Sequence, residues 1–156
     1  MVKYRFLTDE ELKEFDEEFK HFLIANGLHA EEWKEMNEKD PDRAIEVVGL
    51  FSDLILDKVY DKTEYILHHN PTSLRAFKFY KEKAVLLGID YKGNKEIPNE
   101  GILEFISNNA KEMLIYASNK SFKEMDRNKE IHYLIKYGAF VTDGKLYNFL
   151  AEIKKG

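Results

Sequence analysis

Apolar residues recur at a helical spacing through the first third of the chain, then at a spacing of two, then at a helical spacing again. Leu12, Phe15, Phe19, Phe22 and Leu23 fall on one face, with Glu10, Glu14, Glu17 and Glu18 largely on the others, which predicts an amphipathic helix over about 9–25. Thr8 and Glu11 form a capping box at its start, Leu7 and Leu12 occupy the staple positions, and Asn26-Gly27 ends it. A short helix of about 30–39 carries Trp33 and Met36, and Asp40-Pro41 then reads as an N-cap followed by proline at the first helical position. The helix it opens, about 41–62, has a stripe of Ala44, Val47, Val48, Phe51, Ile55 and Val59. Ile45, Leu50, Leu54 and Leu56 widen that stripe, which predicts a central helix covered on more than one side. Gly49 inside it costs about 1 kcal/mol relative to alanine, so another element is expected to approach closely there.

From Glu64 the period becomes two. "EYILHH", "LRAFKFY" and "AVLLGIDY", joined by short turns, predict strands over about 64–69, 74–80 and 84–91 in an antiparallel meander. The loop of 92–99 is expected to be the most mobile segment, and a helix over about 100–108 follows it. Residues 110–137 are read as one long helix, because Ala110, Met113, Ala117, Met125, His132 and Ile135 keep near-helical spacing and Gly138 stands ready to end it; "MLIYA" alone would also suit a strand. Thr142 caps a last helix of about 143–154. The expected fold is α+β, a mostly helical body packed on a small three-stranded meander, in a single domain of residues 1–156.

At 156 residues the chain can bury roughly 70% of its unfolded surface, enough for a core without staples. It has no cysteine, and no apolar run approaches a membrane span or a signal segment, so a cytoplasmic setting is expected. The net charge of −5 is uneven: residues 1–64 carry 9 basic and 18 acidic side chains, and the remainder 15 and 11. An acidic protein is a poor ligand for a polyphosphate backbone, although the asymmetry suits a polar partner or attraction between the two halves.

The stretch "LRAFKFYKEKAV" raises the question of RNA. Arg75, Phe77 and Phe79 match three positions of the RNA-recognition strand motif, but Ala76, Lys78 and Glu82 depart from it, and the strand order around it is wrong. The structural alternative sets Phe77 and Phe79 on one sheet face toward helices; a short Lys81-Glu82 turn would put Phe79 opposite Ala84 and Phe77 opposite Leu86, a register that nothing in "YKEK" fixes and a one-residue slip would reverse. His68 and His69 are neighbours on a strand, so they point to opposite faces, which disfavours a shared metal and leaves only a mixed site open; no metal site is assigned. His29 has no second histidine at helical spacing and reads as a cap or packing residue. Ser52 and Asp53 interrupt the central helix, and Asp53 is the carboxylate around which a motif-less active site would have to form. No phosphate loop, dinucleotide fingerprint, zinc-protease motif or nucleophile elbow is present, so no catalytic residue and no cofactor is assigned.

"YRFLTDEELKEF", "GLHAEEW" and "VGLFSD" resemble an uncharacterised family of small Bacteroidota proteins. That resemblance implies a bacterial cytoplasmic setting and no mechanism. The chain is therefore read as a non-catalytic protein-binding or adaptor module whose partner is another protein. His29, Trp33 and Asp53 are its candidate contacts, since Trp33 is the only tryptophan and sits on an otherwise polar helix. RNA binding through Phe77 and Phe79 and an enzyme built around Asp53 are the alternatives.

Overall fold

A computed structural model describes residues 2–123 and 126–155. The protein is α+β, with seven α-helices and a five-stranded antiparallel sheet among the described residues, and it divides into two compact units, Met1–Asp61 and Lys62–Gly156.

The first unit is helical: α1 (Asp9–Glu14), α2 (Asp16–Ala25), α3 (Ala30–Lys39) and α4 (Pro41–Asp61). The capping box forms as expected, with Thr8 Oγ1 accepting from the Glu11 amide and Glu11 accepting from the Thr8 amide. The single helix expected over 9–25 instead breaks at Phe15, which caps α1 and opens α2. The break puts Asp16, Glu17 and Glu18 into a second N-terminal turn, where the helix dipole favours carboxylates. Phe51 of α4 is fully buried, with the Phe19 and Phe22 rings 4.9 and 5.4 Å away, tilted pairs that add to the gain from burial. The expectation of wide coverage for α4 holds on the sides of Ala44, Phe51, Ile55 and Leu56, but Ile45, Leu50, Leu54 and Val59 stay exposed.

The second unit corrects the sheet. Strands β1 (Tyr65–Asn70), β2 (Ser73–Phe79) and β3 (Lys83–Tyr91) form the expected meander, to which β4 (Met113–Ser121) and β5 (Phe140–Val141) add, in the order β4-β3-β2-β1-β5. Phe77 pairs with Leu86 and Phe79 with Ala84, the register that a short Lys81-Glu82 turn gives. The long helix expected over 110–137 is instead a 3₁₀ turn (Ala110–Glu112), β4, and α6 (Asp126–Lys136), with residues 124 and 125 outside the described set. The apparent helical spacing rested on residues too widely separated to define one face. A run with isoleucine and tyrosine and a single charge, Lys120, instead pairs with all nine residues of β3, whose backbone groups on that side would otherwise lack partners.

One face of the sheet carries Leu67, Leu74, Ala76, Leu87 and Ile89 into a core with Ile106 of α5 (Ile102–Asn108) and Tyr147 and Leu150 of α7 (Lys145–Lys155). Fully burying an aliphatic side chain contributes about 2 kcal/mol, so this cluster is a main source of stability. The 92–99 loop is pinned to it, since Ile97 is buried and its amide donates to the Pro71 carbonyl at 2.8 Å. On the opposite face, Phe79 stacks on Phe122 at 5.8 Å and lies under the Arg127 guanidinium of α6.

Candidate functional site

Gly49, Ser52, Asp53 and Asp57 mark a line along α4, and the N-terminal segment lies on it. The Asp53 carboxylate accepts the Lys3 amide at 2.7 Å on one oxygen and the Tyr4 amide at 3.1 Å on the other. Asp57 accepts the Tyr4 hydroxyl and pairs with the Lys3 ammonium at 3.4 Å. Burial and the Asp57 carboxylate raise the Tyr4 pKa, so the phenol keeps its proton and remains a donor. Ser52 Oγ accepts the Leu7 amide at 3.0 Å and donates to the Val48 carbonyl at 2.7 Å, which accounts for a hydroxyl at a fully buried position. Gly49 is the close approach anticipated from the sequence: a Cβ there would stand 3.0 Å from Val2 Cγ1 and 3.3 Å from Phe6 Cε1.

This latch leaves an apolar groove of about 200 Å³ lined by Val2, Phe6, Ile45, Glu46, Gly49 and Leu50. Leu50 is 64% exposed, and Phe6, Ile45 and Leu54 are open to solvent as well. Large apolar side chains gathered around a concavity mark interaction surfaces more often than scattered ones do.

Arg5 holds the latch from the other end, donating to both Glu11 oxygens at 2.7 and 3.0 Å. That guanidinium, then the Thr8 amide, hold the Glu11 carboxyl down at about 2, against an ordinary value of 4.5. A carboxyl depressed by folding adds stability that is fully present above its ordinary pKa and is lost as pH falls through the folded value. Acid titration should therefore erode stability between about pH 4.5 and 2, and Glu11→Gln should flatten that slope. Because the pair is partly solvated, the effect should be about 1 kcal/mol, read from urea midpoints at each pH.

No hydrogen bond or ring contact joins the three contact residues named from sequence among the described residues. His29 is exposed at the start of α3, and its side chain makes no capping hydrogen bond, which corrects the capping role. Trp33 is half-buried, edge-on to Phe19 at 5.5 Å. Both oxygens of Asp53 serve the backbone of the latch, so this carboxylate has a structural task. His68 and His69 face opposite sides of the sheet, and His69 Nε2 lies 3.1 Å from the Pro98 carbonyl. Among the described residues no group of three or more potential metal-ligating side chains converges, and no helix is long and apolar enough to cross a membrane.

Phe77 and Phe79 are not an open stacking platform. Phe79 is 4% exposed and Phe77 half-buried, and the space beside them, about 200 Å³, is walled by Phe122 and Leu134. The groove on α4 went unseen in the sequence because its second wall comes from residues 2–6, about fifty positions away. The available signal was Gly49, Asp53 and Asp57 at four-residue intervals on one helix face.

A model of a family described as "Family of unknown function (DUF6495)" matches residues 1–155. No curated protein and no solved structure matches the chain.

Proposed function

The chain belongs to this family of unknown function, and on its own residues we propose that it is a non-catalytic protein-binding or adaptor module of the bacterial cytoplasm. The observation that carries the reading is the groove on α4, an exposed apolar concavity with a preformed wall. Its volume suits one large aliphatic or aromatic side chain, the kind of anchor that dominates protein interfaces. Residues 1–61 carry 17 acidic and 8 basic side chains, and Glu46 stands on the groove itself. The partner that fits is therefore a protein segment with one apolar anchor flanked by lysine or arginine, whose encounter is steered by charge and weakened by salt. Asp53 contributes indirectly, by fixing the wall; His29 and Trp33 are the proposed secondary contacts.

The test is parallel isolation of the tagged full chain and its Leu50→Glu variant from the native cells, with mass spectrometry of what accompanies each. Leu50 is solvent-exposed, so the fold should tolerate the change. A protein carried by the wild type and depleted about tenfold or more in the variant is the expected result. Equal recovery by both, or RNA as the sole companion, would refute the groove as the binding surface.

A further inference from the structure

Sheet order ends at β5, only two residues long, on one side and at nine-residue β4 on the other. In antiparallel pairing alternate residues turn their backbone groups toward the partner strand. The Lys92 amide donates to the Glu112 carbonyl and the Phe122 amide to the Glu82 carbonyl, so the even-numbered residues of β4 face β3. Ile115, Ala117, Asn119 and Ser121 therefore turn both N–H and C=O outward, while the Met113 amide is taken by the Ala110 carbonyl.

Native edges are blunted by proline, bulges, inward charges or shortness. β4 has none of these, and of the charged side chains that also guard edges it carries one. Its pairing with β3 runs unbroken from Ser121 to Met113, and it contains neither proline nor glycine. Its one charge, Lys120, is already held by Glu130 of α6. Residues 117–121 are exposed, Leu114 is 56% exposed, and Tyr116 leans inward over Gly88 rather than shielding the edge.

We propose that β4 pairs antiparallel with β4 of a second copy about a two-fold axis at Ala117, joining two sheets into one of ten strands. The row is self-complementary in that register. Ala117 meets Ala117, and Ile115 meets Asn119, all outward-facing residues, so each such pair exchanges two backbone hydrogen bonds. Leu114 of one copy lies opposite Lys120 of the other, whose aliphatic stem covers it, and no like charges oppose each other. A closed two-fold dimer uses up both edges and so stops at two copies. This proposal rests on other residues than the groove on α4 does, so either can fail alone.

Sedimentation of the full chain at tens of micromolar should give twice 18.4 kDa, that is 36.8 kDa. Ala117→Pro removes an outward amide and no bond to β3, and should weaken dimerisation about tenfold or more without changing the far-ultraviolet circular dichroism. Ala117→Lys and Ala117→Glu should each run as monomers, because like charges then meet at the axis, and mixing the two should restore 36.8 kDa. A wild type of 18.4 kDa throughout would overturn the proposal, as would a dimer indifferent to Ala117→Pro or a mixture of the charged variants that stays monomeric.

Discussion

Replacing Arg127 with methionine should cost about 3 kcal/mol of stability, among the largest losses available to a single polar residue here. Arg127 is 8% exposed, and its guanidinium donates to the Thr63 and Tyr80 carbonyls at 2.7 Å each while lying 5.9 Å from the Phe79 ring. Methionine retains much of the apolar stem but supplies no donor, so two carbonyls lose a charged partner and α6 loses its tie to the turn after β2. Urea unfolding should show a lower midpoint at unchanged slope. A loss under about 1 kcal/mol would mean that the Phe79 face is closed by apolar contact alone.

Gly144→Ala should be comparably damaging, again about 3 kcal/mol, for a reason rooted in the backbone. Gly144 has φ +84°, a conformation that costs an L side chain energy, and a Cβ there would stand 2.6 Å from two ring carbons of Tyr65. Yielding is difficult for that ring, because Tyr65 is held in β1 and packs on Tyr147 at 5.7 Å. The Gly144 amide donates to Thr142 Oγ1 and its carbonyl accepts from Asn148 in α7, so a shift of the backbone would disturb both ends of the turn. The check is the thermal midpoint beside that of the wild type; an unchanged midpoint would contradict the strain.

How much of this was legible in the sequence depends on how local each signal was. The capping box at Thr8, the proline that opens α4 and the turns of the meander act over four residues or fewer, and they read correctly. The register of β2 on β3 is the one a short Lys81-Glu82 turn gives, but no turn signal in "YKEK" fixes it, so the sequence left it open. What escaped was decided at a distance. Whether "MLIYASN" is strand or helix turns on β3 needing a partner, and β5 is two residues whose only reason to extend is the edge of β1. Thr142 suits the cap of a last helix, yet α7 begins at Lys145, after Gly144, whose φ is positive and which lies against the Tyr65 ring. At the candidate site, Gly49 and Asp53 were each conspicuous, one as an unexplained cost within a helix and the other as a carboxylate needing a partner. Their common cause, a segment lying across both, lay in residues 2–7.

The most direct test of binding through the α4 groove is photo-crosslinking inside the native cells, with a benzophenone-bearing residue in place of Leu50 in one strain and in place of Phe77 in another. The groove reading expects a discrete protein adduct from position 50 that vanishes when Ile45→Glu is added, and no comparable adduct from position 77. An RNA adduct at position 77, or a position 50 that captures no protein, would contradict it.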